Sequence, residues 1–135
     1  MQLVLDTNVV LDLLVFGEPR TQPLAQALQA GRLRWIATAA MREELSRVLG
    51  YPKLAARVAF HRTSSTQVLQ AFDASAVLVE APVKAPVTCG DPDDQKFIDL
   101  AVAHRCTLLS KDNEVLRMRK RLAALQVLAT SHFPS

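Results

Sequence analysis

Short apolar runs, each too brief for a helix and each separated from the next by segments of helical spacing, recur along this chain of 135 residues. Gln2–Leu5, Arg34–Ala37, 77–79, Thr107–Leu109 and 126–128 are the strand candidates. Helical spacing is found in 9–16, 21–30, Ala39–Leu49, Pro52–Phe60, 64–74 and Gln95–His104, and 114–122 is a basic, partly helical segment. Such alternation in so short a chain predicts an α/β fold, with a mostly parallel sheet of four to five short strands covered by helices on both faces. In open sheets of this kind ligands gather beyond the carboxyl ends of the strands. What stands just after each strand therefore matters most.

Acids stand there. Asp6 follows the first strand in LVLDTNVVLDLL, and Asp112 follows the fourth in TLLSKDNEVL. Glu44 lies in the helix after the second strand, within TAAMREELSRVL. Asp94 opens the helix after the third, in CGDPDDQKFIDLAVA, delivered by the proline-rich loop 80–92. Each has an ordinary reading too. Asp6-Thr7-Asn8 suits a helix cap, Thr38 suits a cap of the helix that carries Glu44, and Asp112-Asn113 suits a turn. Glu43 is expected to face solvent or Arg47, and Asp99 to be solvated or paired. The run from Asp91 to Asp94 suits the start of a helix, with Pro92 in its first turn. Brought together, however, the four acids would repel one another too strongly to persist without cations, and hard divalent ions favour such oxygen ligands. Thr7, Asn8 and Ser110 could orient a neighbouring acid or a water, and Asp91 could join the cluster or cap the helix.

Half of the residues are apolar, which excludes a disordered chain, and the length suits one domain spanning 1–135. With one Trp, one Tyr and five Phe, the interior must be filled mainly by Ala, Leu and Val. Cys89 and Cys106 lack metal or disulfide spacing and read as reduced thiols of a cytoplasmic protein, Cys106 buried where a strand begins. The opening MQLVLD reads as a strand rather than a leader, and no stretch approaches the ~20 apolar residues of a membrane span. The net charge of +3 fits a polyanionic substrate without requiring one. Lys111, Arg117, Arg119, Lys120 and Arg121 form a basic run suited equally to phosphate contacts or to a solvated helix. A glycine-rich phosphate loop is absent from the sequence.

The segments DTNVVLDLL, EELSRVL, DPDDQKFIDLA and LLSKD together resemble the PIN-domain family, from about Leu3 to Phe133, and within it the branch of toxin components of bacterial toxin–antitoxin pairs. The resemblance implies a three-layer α/β/α sandwich and a Mg2+-dependent (or Mn2+-dependent) ribonuclease. Asp6, Glu44, Asp94 and Asp112 match the four family acids, with Asn8 and Ser110 beside the first and fourth and Asp91 as an additional acid. It further implies an RNA substrate and a small antitoxin protein as partner, and a homodimer is expected because a two-fold pair could set two sites beside one basic groove. On this basis Asp6 and Asp94 are the expected principal ligands, completed by Glu44 and Asp112. Two rivals stand beside it: a module that binds RNA or protein without cutting, and a small phosphatase or phospho-acceptor domain built on Asp6.

Overall fold

The computed structural model describes residues 1–133. Among these residues five strands form one sheet: β1 (Gln2–Leu5), β2 (Arg34–Ala37), β3 (Ala76–Leu78), β4 (Thr107–Leu109) and β5 (Ala129–Thr130). Their spatial order is β3-β2-β1-β4-β5, with every neighbouring pair parallel. The helices between them are α1 (Thr7–Leu11), α2 (Gln22–Gln29), α3 (Ala39–Leu49), α4 (Pro52–Phe60), α5 (Ser65–Ser75), α6 (Gln95–His104), α7 (Asn113–Leu116) and α8 (Arg119–Ala124). The α/β/α architecture expected from the alternation is the one observed.

The strand order has a direct consequence. From β1 the chain steps outward to β2 and β3, then returns across the sheet to β4 on the other side of β1. Right-handed crossovers place the helices of the outward path on one face and α6, which belongs to the return, on the other. Accordingly α6 packs on β1 and β4, while α3 packs with α4 and α5. The crevice opens where the winding reverses, between the ends of β1 and β4.

Burial follows the same logic. Leu3, Val4 and Leu5 of central β1 are all buried, because helices cover both faces, and so are Thr107, Leu108 and Leu109 of β4. At the open edge, Val77 and Leu78 of β3 are 39% and 50% exposed. The core between β2 and α5 is anchored by Trp35 and Phe72, whose rings meet edge to face with centroids 5.0 Å apart. A bidentate ion pair of Arg42 with Asp73, at 2.7 and 2.8 Å, ties α3 to α5 at the surface.

Several local expectations change. The first helix starts at Thr7 rather than at residue 9, because Asp6 caps it, and its second half, Asp12–Phe16, widens into a π-helical turn ended by Gly17 in the left-handed region. Thr38 occupies the cap position of α3, but its side chain makes no cap bond. Ser64 does cap α5, which runs straight into β3 and moves that strand one residue earlier than expected. The segment 114–122 divides into α7 and α8. The last strand is Ala129–Thr130, not 126–128: Gln126 adopts φ 67° and the Val127 N–H returns to the Leu122 carbonyl at 2.9 Å. Closing α8 in this way consumes the residues read as strand.

Phe72→Ala is expected to lower unfolding free energy by ~3–5 kcal/mol, since it empties a fully packed aromatic site. A urea titration checks this, and a cost below ~1 kcal/mol would contradict the packing described.

Candidate metal centre

Asp6 and Ser110 each stand immediately after a central strand. The Asp6 N–H donates to the Leu109 carbonyl at 3.0 Å, extending the β1–β4 ladder by one step. Both carboxylate oxygens of Asp6 are occupied: Oδ1 accepts the Asn8 N–H at 3.0 Å, and Oδ2 accepts the Ser110 hydroxyl at 2.6 Å. Ser110 Oγ in turn accepts the Asp112 N–H at 3.1 Å, and Asp112 Oδ1 caps α7 by accepting the Glu114 N–H at 2.8 Å. One buried hydroxyl thus links the first acid to the backbone of the fourth.

The third element arrives from the loop before α6. Asp99 Oδ1 accepts the Ala85 N–H at 2.8 Å and the Gln95 side-chain amide at 2.7 Å, so this acid serves the loop rather than solvent or a cation. Gln95 also accepts the Cys89 N–H at 2.7 Å and donates to the Val87 carbonyl at 3.0 Å. At Gly90 the loop passes so close to α7 that a Cβ would lie 2.3 Å from Glu114 Oε2. A 3-10 turn, Pro92–Asp94, follows, and Asp91 caps it by accepting the Asp93 N–H at 3.0 Å. These anchors carry Asp91 and Asp94 to Asp112.

Ligand atoms of Asp91, Asp94 and Asp112 lie within 4.8 Å of one another. Asp94 is buried and its Oδ2 has no hydrogen-bond partner. Burial first, then a hydrogen bond to Asp112 open only to the protonated form, then the charges of Asp6, Asp112 and Asp91, push the Asp94 carboxyl up to about 7. Burial likewise raises Asp6, against the hydrogen bonds from Ser110 and Asn8, and Asp112 and Glu44 add to the rise. The Cys89 thiol behind the loop is raised by burial and then by Asp94, Asp112 and Asp91. A divalent cation fits this donor set. It would supply the charge that Asp94 Oδ2 lacks and take the place of the proton shared with Asp112.

Glu44 sits differently. Its Oε2 accepts the Thr7 hydroxyl, and its Oε1 accepts the Lys96 ammonium at 2.7 Å. Lys96 also donates to the Asp93 carbonyl at 2.5 Å and lies 4.9 Å from the Phe97 ring centroid. Sequence reasoning missed Lys96, although it is the one basic residue within DPDDQKFIDLA. Of the sequence-derived set, then, Asp94 and Asp112 come together with Asp91. Asp6 stands beside them held by Ser110, and Glu44 is tied to Thr7 and Lys96. Asn8 is exposed and contributes its N–H to Asp6. The basic run is divided: Lys111 pairs with Asp12 at 2.5 Å, Arg117 pairs with Glu114 at 3.4 Å, and Arg119, Lys120 and Arg121 lie exposed on α8.

A family model described as PIN domain matches residues 2–114. No curated protein and no solved structure matches the chain.

Two predictions follow from the electrostatics. The native state holds the Asp94 proton up to about 7, whereas the unfolded chain releases it near 3.8. Between these values the native state binds more protons, so in EDTA the stability contributed by Asp94 is full at low pH and is lost as pH rises toward 7. Thermal melts should show a steeper downward slope in wild type than in Asp94→Asn, which keeps the smaller contribution of the buried Asp6. Separately, Lys96→Met should tighten Mn2+ binding several-fold, since it removes a positive charge that rests on the Asp93 carbonyl, in the turn that carries Asp94. Free Mn2+ measured by electron paramagnetic resonance tests this, and unchanged affinity would remove Lys96 from the charge balance.

Proposed function

The chain belongs to the PIN-domain family, and from that premise we propose that it is a divalent-metal-dependent ribonuclease that hydrolyses RNA phosphodiester bonds. The observation that carries the reading is the meeting of Asp91, Asp94 and Asp112 around a buried carboxylate oxygen without a donor. Mg2+, or Mn2+ in its place, suits an all-carboxylate set of this size. Held by Asp91, Asp94 and Asp112, such an ion supplies polarisation of a phosphate oxygen and a lowered pKa for the attacking water.

The side chains divide the remaining work. Asp94 surrenders its proton when the cation binds. Asp6, fixed at both oxygens by Ser110 and the Asn8 N–H, adds negative charge beside the cluster without having to reorient. Thr7 and Lys96 hold Glu44, whose charge acts on Asp6, and Lys96 limits the net negative charge that an incoming phosphate must meet. Lys111, Arg117, Arg119, Lys120 and Arg121 contact backbone phosphates of the RNA. Attack of the activated water on phosphorus breaks the P–O3′ bond, the departing 3′ oxygen takes up a proton, and the products are a 5′ phosphate and a 3′ hydroxyl.

The finer biology belongs to the same proposal. The resemblance of the DTN and Ser-x-Asp segments to toxin components supports a place in a toxin–antitoxin pair, with a small antitoxin protein as partner. The exposed apolar edge at Val77 and Leu78 supports a homodimer. The free, buried thiols of Cys89 and Cys106 suit the reducing cytoplasm. Among the described residues no helix is long and apolar enough to cross a membrane.

Wild type incubated with single-stranded, hairpin and transfer RNAs should cut at least one class in Mg2+ or Mn2+ and none in EDTA. Asp94→Asn should lower the rate by about a hundredfold or more, the scale expected when charge directed at the reacting centre is lost. Full activity in Asp94→Asn would sink the reading, and binding without cutting in either metal would favour a non-catalytic RNA-binding module.

A further inference from the structure

Beside the acid cluster a cavity of about 370 Å3 opens between the π-helical turn, α4 and the segment after β4. Its lining is mixed in a specific way. The floor is aliphatic, one wall is Phe16 with the Arg57 guanidinium 4.0 Å over its ring centroid, and Asn8, Glu18 and Lys111 add polar groups. His61 meets the Phe16 ring edge-on, with centroids 5.4 Å apart, and so holds it from another side. Two of the lining residues tie the cavity to the candidate metal centre. Asn8 donates its backbone N–H to Asp6, and Lys111 lies between Ser110 and Asp112, with its ammonium on Asp12 at 2.5 Å.

The combination selects a ligand class. A free anion has no use for an aliphatic floor, and an apolar ligand has no use for two cations and two carboxylates. A nucleotide uses all of them. Bases stack on aromatic rings and on guanidinium planes, and the neighbouring phosphate takes a lysine or arginine. Glu18 brings an acceptor, and Asn8 brings a side-chain amide that both donates and accepts. Guanine is the standard base whose pairing edge offers two adjacent N–H donors to a carboxylate and a carbonyl to an amide. Resting on the ribonuclease reading above, we infer that this cavity seats the base next to the cleaved phosphodiester, stacked on the Phe16–Arg57 pair and favouring guanine through Glu18 and Asn8. Lys111 exchanges Asp12 for the adjoining phosphate as the strand enters.

The test separates binding from cutting. Fluorescein-labelled UUGUUU and UUUUUU ribohexamers are titrated by anisotropy in EDTA with wild type, Glu18→Ala and Arg57→Ala. Both substituted side chains are exposed, and melting temperatures confirm that the variants fold. Wild type should bind the guanine-containing hexamer about tenfold more tightly, the scale of one good base contact. Glu18→Ala should erase that difference, and Arg57→Ala should weaken both hexamers by about tenfold through lost stacking. Wild-type binding that is absent, blind to the base, or unchanged by both substitutions would overturn the inference. The same hexamers with Mn2+ give the second arm. Cleavage without guanine preference keeps the nuclease and removes the subsite, whereas guanine-selective binding with no cleavage in Mn2+ does the reverse.

Discussion

Parallel pairing of β1 with β4 is the constraint on which everything at the site depends. It brings Asp6 and Ser110 into a hydrogen bond across 104 positions of sequence, in a buried environment where an unpartnered carboxylate would be costly. Because the sheet winds outward on one side of β1 and returns on the other, the two strands end at the crevice. The rigid ladder removes freedom from the acids that follow it. Crowding that would drive apart carboxylates on mobile loops is sustained here by backbone hydrogen bonds on both sides.

The acids fall into two groups, distinguished by how their charge is balanced. Asp6 and Glu44 are answered inside the protein, by Ser110 and a backbone N–H in one case and by Thr7 and Lys96 in the other. Asp91, Asp94 and Asp112 are left facing one another, and Asp94 responds by holding its proton up to about 7. This division accounts for how the fold tolerates so many acids at one end of a sheet. It also leaves Asp94 Oδ2 without a donor, beside two acids that each hold a backbone N–H, a set that a hard cation fits. The loop before α6 is tied down by Asp99 and Gln95 for the same end, since an untethered loop would let Asp91 and Asp94 relax away from Asp112.

Next to this centre the fold departs from regular geometry. The π-helical turn after α1 carries Asp12 and Phe16, and both line the cavity that adjoins the acids. A wide turn shifts side chains away from the i, i+4 positions of an α-helix, and such turns cluster where a chain must present groups to a ligand. The apolar face of α1 and the cavity wall are thus successive parts of one segment. A single stretch after β1 supplies an acid, its cap and a binding wall.

Much of this was legible in the chain. Strand–helix alternation and the acids at strand ends read correctly because burial on both faces forces short, continuous apolar runs, and a strand end is local information. The first four strands lie within a residue of where the apolar runs put them, while β5 moved because closing α8 through Gln126 is a matter of helix-end geometry. Composition and periodicity therefore determined the class of fold, the order of its elements and which acids stand near one end. Only the tertiary structure decided which of those acids meet, that Lys96 answers Glu44, that Asp99 serves a loop, and that Phe16 and Arg57 form one wall. Those pairings join residues far apart in sequence, and their distances are set by strand order and loop anchoring, which no local pattern of side chains encodes.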